Sequence, residues 1–314
     1  MTIDTHAHLT LPAFSELLKT RNLARLHQKA ETAEERLAAL DAAGIDGQVL
    51  SLPGLAGIDS LPAEEAAPLV RAFNSGIAEV VAAHPERFAG LASLPHSDID
   101  AAVIELEYAL DHLHLRGAIL PVDAFQDTAT AEKLRPIFQA GEARGAHFFI
   151  HPGAFRGGVV EPLRLGNAEV ARDVSLKVAV KLQTRITSAY LTLAFTDFLE
   201  AFPSVTIQLA NLGGVVPFLV ERLDHPAKRK GDESLLPSLR KIFVDTASFG
   251  SEAIGLTARI IGADRVLFGT DHPIFPLEPT LEGLSQAQLS TEQRETILSS
   301  ADLDFFRTPS AVTV

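Results

Sequence analysis

The chain has 314 residues, 46% hydrophobic and 21% charged, with 27 basic against 40 acidic side chains and a formal net charge of −13. These proportions describe a globular chain long enough to bury a large core unaided, and the absence of cysteine excludes disulfides, thiolate metal sites, iron–sulfur clusters and a cysteine nucleophile. Negative charge disfavours phosphate backbones and anionic lipid, no apolar run reaches the roughly 20 residues of a membrane span, and no export signal opens the chain. The expectation is a cytoplasmic protein that binds neither nucleic acid nor membrane.

Short apolar runs alternate with amphipathic stretches of helical length. Strands are expected at residues 2–5, 48–52, 88–93, 117–120, 147–150, 205–209, 242–244 and 266–268, each entering a loop marked by Pro, Gly, Asp or His. After the first strand, Thr32 and Glu35 spell a capping box, and Gly44 stands where a helix end favours a left-handed residue. Further helices are expected over 99–114, started by Ser97 or Asp98, over 128–143 closing near Gly145, over 187–201 before Pro203, and over 251–261 before Gly262. The charged stretch 225–234 reads as an exposed loop. Eight such units suffice to close a (β/α)8 TIM barrel of the α/β class, as a single domain over residues 1–314. A doubly wound open sheet is the competing architecture, but the first strand enters D-T-H-A-H rather than a Gly-rich phosphate turn, and no Walker motif occurs.

In a parallel barrel the chemistry sits at the C-terminal ends of the strands. The first strand ends in His6 and His8, which share a face at spacing two and can present both imidazoles to one cation. The same H-x-H pattern recurs at His112 and His114, but late in a helix, where such residues diverge by about 200°, so spacing alone decides little. The fifth strand runs into His151 and the eighth into Asp271. Three neutral nitrogens and one carboxylate suit Zn(II), Mn(II) or Fe(II), with a position left for water or substrate. Each member also has a plain structural reading, His151 as a core histidine and Asp271 as a turn cap. Phe148 and Phe149 read as barrel core. No G-x-S-x-G elbow supports a Ser-His-Asp site.

The I-D-x-H-x-H opening, the H-P-G after strand five and the G-T-D-x-P after strand eight resemble the amidohydrolase superfamily, specifically its branch related to aminocarboxymuconate-semialdehyde decarboxylase. Its 6-methylsalicylate decarboxylase-like group is the nearest in flavour. The resemblance spans nearly the whole chain, including residues 35–44, 84–90 and 212–214. It implies one divalent ion, Zn or Mn, held by His6, His8, His151 and Asp271. Binuclear relatives use a carboxylated lysine after strand four; residues 117–123 contain none, which favours a mononuclear site. The branch usually carries a histidine in an H-x-G-G context after strand six, whereas this chain has Asn211, which hydrogen-bonds but exchanges no proton near neutrality. Asp245 matches a D-T-A element and is a candidate to orient a metal-ligating imidazole, with a turn role as the alternative. Arg25 and Arg185 are candidates to grip a substrate carboxylate, and His272 to contact substrate.

The resemblance implies a metal-dependent carboxy-lyase, a non-oxidative decarboxylase of a small aromatic or conjugated carboxylic acid, with Asp271 as the proton carrier and Asn211 beside it. Two alternatives stay open: a metal-dependent hydrolase of an ester, lactone or amide, and a catalytically impaired metal-binding homologue in which Asn211 replaces the working histidine. Residues 53–62 and 153–170 are long enough for lids or subunit contacts, and a homodimer is expected by analogy with relatives.

Overall fold

Each strand is buried along nearly its whole length, the signature of parallel strands covered on both faces. The computed structural model describes residues 1–21, 23, 30–52, 58, 61–155, 172–230, 234–247, 250–300 and 303. Its strands are β1 (Ile3–His8), β2 (Gly47–Ser51), β3 (Phe88–Gly90), β4 (Gly117–Pro121), β5 (His147–His151), β6 (Thr206–Leu209), β7 (Phe243–Asp245) and β8 (Val266–Leu267). The helices, in chain order, are α1 (Pro12–Thr20), α2 (Ala33–Ala43), α3 (Ala63–Ala83), α4 (Ile99–Asp111), α5 (Thr128–Ala131), α6 (Arg135–Glu142), α7 (Arg172–Phe195), α8 (Val216–Lys230), α9 (Ser251–Ile261), α10 (Glu278–Gln286) and α11 (Thr291–Ser299).

All pairings are parallel, in two ladders, β1-β2-β3 and β4-β5-β6-β7-β8. Isolated bridges join the ladders at both seams, Ala92 to Ala118 and Ala7 to His272. Backbone bonds reinforce the second seam: Thr5 N–H donates to the Phe268 carbonyl at 2.8 Å and Asp271 N–H to that of His6 at 2.7 Å. The ring is thus the expected TIM barrel. Val49, Ala89, Leu91, Ile119, Phe149 and Ala210 pack together inside it, while the larger core lies between strands and helices.

Local signals account for the better-placed elements. Thr32 accepts from Glu35 N–H while Glu35 caps Thr32 N–H, and Gly44 closes α2 at φ +69°. Asp98 caps α4 by accepting from Ala101 N–H. Four expectations need correction. His112 and His114 lie at and beyond the end of α4 rather than within it. The stretch 128–143 is broken, because Pro136 starts a new helix after a 3-10 turn over Glu132–Leu134. α7 begins well before 187 and ends at Phe195, and α8 carries helix through residues 225–230, expected as loop. Among the described residues no helix is long and apolar enough to cross a membrane.

Candidate metal centre

Strand geometry brings His6, His8, His151 and Asp271 together at the mouth, one donor atom of each lying within 4.8 Å of the others. Among the described residues this is the one such group. His8 Nε2 lies 3.2 Å from His151 Nε2 and 3.1 Å from Asp271 Oδ1, and His6 Nε2 lies 3.4 Å from that oxygen. A divalent ion with donors at about 2.1 Å places neighbouring donors about 3.0–3.4 Å apart, so the spacing fits.

Hydrogen bonds on the far side of each ring decide what the near side offers. His151 Nδ1 contacts the Pro152 carbonyl at 3.0 Å, which only accepts, so Nδ1 carries the proton. His6 Nδ1 likewise meets Asp245 Oδ2 at 3.1 Å. Ser51 donates its hydroxyl proton to the Ala7 carbonyl, so it can only accept from His8 Nδ1 at 2.9 Å. Each ring therefore turns Nε2 inward, and His8 and His151 face each other with no proton between them. His6 Nε2 and Asp271 Oδ1 are buried without a hydrogen-bond partner. Such an arrangement is costly for the protein alone and suited to a cation.

The electrostatics agree. Burial pushes His8 down and His151 well down, the latter helped by the neighbouring imidazoles. Burial would lower His6 too, but Asp245 and Asp271 outweigh it and raise it to about 10. Burial would raise Asp271, but His6 and His8 hold it well below the usual carboxylate range. Without a cation the site thus keeps a proton on His6 between two carboxylates, a role that a dication takes over with release of the proton.

Asp245, at the end of β7, accepts four hydrogen bonds: from His6 Nδ1 and Gln208 Nε2 on one oxygen, and from the backbone N–H groups of Asn211 and Ala247 on the other. Its contacts reach both His6 and the backbone of the turn carrying Asn211. Asn211 Oδ1 is buried without a partner. Arg185 lies on Asp123, with Nη1 3.2 Å from Oδ2, so its charge is engaged within the protein rather than held open for a carboxylate. His272 is half-buried with Nε2 4.0 Å from Glu31. Arg25 and most of residues 53–62 and 153–170 lie outside the described residues.

Sequence reading missed the residues that hold the candidate ligands from behind. Asp4 takes hydrogen bonds from His6 N–H, Gln48 and Thr270, tying β1 to the segment after β8. Arg36, fully buried, bonds the His8 carbonyl, Gln48 and Glu31. Asp4 was within sight as the acidic member of the opening motif; Ser51, Gln48 and Arg36 carry no local signal.

The family model described as Amidohydrolase matches residues 3–304. The chain belongs to the amidohydrolase family. It is 27% identical over 281 residues to a 2-amino-3-carboxymuconate-6-semialdehyde decarboxylase of Dictyostelium discoideum, covering 86% of this amidohydrolase and 75% of the relative. It is 29% identical over 288 residues to a gamma-resorcylate decarboxylase of a Polaromonas species, covering 84% of each. The crystal structure of a dihydroxybenzoic acid decarboxylase from Polaromonas, with bound manganese and the inhibitor 2-nitroresorcinol, shares the fold at a TM-score of 0.74 and 21% identity, over 97% of this chain and 96% of that one.

Proposed function

We propose that this amidohydrolase is a metal-dependent, non-oxidative decarboxylase of a small aromatic or conjugated carboxylic acid. The observation that carries the reading is the inward convergence of three imidazole Nε2 atoms and the Asp271 carboxylate, in a chain similar to decarboxylases of the same family. His6, His8, His151 and Asp271 would hold the divalent ion, zinc or manganese. Bound there, the ion would supply Lewis-acid stabilisation of the negative charge that develops as CO2 leaves.

The chain's own groups divide the remaining work. Asp271 rests as a carboxylate, so it begins as a base. For a hydroxylated aromatic acid it takes the proton of the hydroxyl beside the carboxylate and passes it to the ring carbon that bears that carboxylate. The bond from that carbon to the carboxylate then breaks, CO2 departs and the phenolate product recovers a proton from water. His6, tied to Asp245, keeps one face of Asp271 in place. Asn211 moves no proton; its unpartnered Oδ1 accepts a hydrogen bond from the ligand and positions it.

The test is release of CO2 from hydroxybenzoates by manganese- or zinc-loaded protein, lost on chelation and restored on reloading. Turnover surviving complete metal removal overturns the mechanism. Acid release from an ester, lactone or amide panel without CO2 establishes the hydrolase instead, and metal binding with no turnover on either panel establishes the impaired site.

A further inference from the structure

Away from the metal-binding group, three buried acceptor atoms among the described residues after the strands have no hydrogen-bond partner. Asp123 follows β4; its backbone N–H donates to the carbonyl of Gly153, two residues beyond His151, at 3.3 Å, which sets it beside that ligand. Its side chain is 3% exposed. Oδ2 lies 3.2 Å from Arg185 Nη1, and Oδ1 is buried with no partner. In the loop that follows the adjoining strand β3, His96 contacts the Leu94 carbonyl through Nδ1 at 3.0 Å, so its proton sits there, and its buried Nε2 is a lone pair without a partner. Asn211 Oδ1 is a third. The loop holding His96 is preset: the Asn74 carboxamide bonds both the N–H and the carbonyl of Ser93, Glu105 accepts from Asn74, and Arg71 donates to Glu105.

Unpaired buried acceptors cost stability unless a ligand supplies donors. We propose that Asp123, held by Arg185, is a specificity-determining residue that accepts a hydrogen bond from a second ring hydroxyl of the substrate, so that the pocket takes a polyhydroxylated aromatic monocarboxylic acid and rejects a dicarboxylic one. A second carboxylate there would bring no proton, face the Asp123 carboxylate and find Arg185 already engaged. Arg185 is a positioning residue: by occupying Oδ2 it leaves Oδ1 as the oxygen turned to the ligand. This assignment rests on the decarboxylase reading for the kind of ligand but not on turnover.

Binding of nitrophenols tests it, because a nitro group mimics the planar carboxylate and cannot leave as CO2. Burial pushes the Asp123 carboxyl up to about 6 against the opposing charge of Arg185, so titrations of manganese-loaded protein at pH 8 find it ionised. The ligands are 2-nitrophenol, its derivatives with a second hydroxyl at each remaining ring position, and the matching carboxyl derivatives. The expected result is one hydroxyl derivative binding about tenfold or more tighter than 2-nitrophenol, and every carboxyl derivative binding more weakly than it. Asp123→Asn, isosteric but uncharged, should cut the hydroxyl advantage to about threefold or less, and Arg185→Gln should reduce it with the 2-nitrophenol affinity little changed. Hydroxyl derivatives within threefold of 2-nitrophenol on the native protein, or an advantage unmoved by Asp123→Asn, overturn the assignment. Selectivity without CO2 release from any acid would leave the subsite standing and remove the decarboxylase reading; CO2 release without selectivity would do the reverse.

Discussion

At the scale of single residues, the centre is set by partners that never face the ligand. Asp245 has all four of its hydrogen-bonding positions filled, so the tautomer and angle of His6 follow from it. In Asp245→Asn the amide oxygen can still accept from His6 Nδ1, but the charge is gone and the amide N–H groups meet backbone donors. Metal affinity, read by competition with a chromophoric chelator, is expected to fall about 10–100-fold with the fold intact. An unchanged affinity would mean that Asp245 serves only the turn at Asn211. The convergence of the four donors His6, His8, His151 and Asp271 was legible in the sequence because His and Asp stand at strand ends in short motifs. Their supports were not: a hydrogen bond between Ser51 and His8 spans 43 positions and leaves no periodicity behind. Arg185 shows the opposite failure, since an arginine of the right chemistry reads as a substrate clamp until its partner Asp123, 62 positions away, is seen.

At the scale of elements, the turn after β6 carries the most strain. Asn211, Leu212, Gly213 and Gly214 all have φ between +53° and +71°. Asparagine tolerates that region and leucine does not, so the two glycines relieve a backbone already stressed at Leu212. Both glycines are also sterically required, because a Cβ on Gly213 would run into the Tyr190 ring and one on Gly214 would lie 2.5 Å from Thr187 Oγ1 and 2.7 Å from the Gln183 carbonyl. Gly214→Ala is therefore expected to destabilise by about 1–3 kcal/mol, seen as a lower urea midpoint at unchanged slope. It should also weaken turnover by displacing Asn211, whereas Gly44→Ala, with nothing within 4 Å of the new Cβ, pays only the conformational term and leaves turnover alone. Strands were easy to place from sequence because buried parallel strands are short apolar runs closed by punctuation. Helix limits were harder. α7 starts earlier than expected because Leu176 and Val180 point to solvent, 59% and 66% exposed, so no single apolar stripe announces that half of the helix.

At the scale of the whole molecule, the candidate ligands straddle the seam where the barrel closes. His6 and His8 lie on the first strand and Asp271 just past the last, and β1 meets that segment through the Ala7 to His272 bridge and the bonds from Asp271 N–H to His6 and from His8 N–H to His272. An ion bound to all four would join chain positions up to 265 apart and clamp the seam from above. It would stabilise by mass action, about 2.7 kcal/mol at a hundredfold excess over Kd, enough to move Tm by several degrees. Protons compete for the same place. The folded-state His6 sits near 10 against an ordinary 6.5, so in the metal-free protein its protonation contributes stability that is whole below pH 6.5 and is lost as pH rises through about 10. Metal-free Tm should accordingly fall between pH 7 and pH 10, the loaded protein should fall less, and the gap should widen with pH. Hydrogen exchange places the effect: on chelation the amides of Thr5, His8 and Asp271 should speed up, while those of Phe148 and Ile150, in the middle of the β4-β5-β6 ladder, should not. Equal acceleration across the barrel, or a Tm gap that narrows with pH, would mean that the site does not hold the seam together.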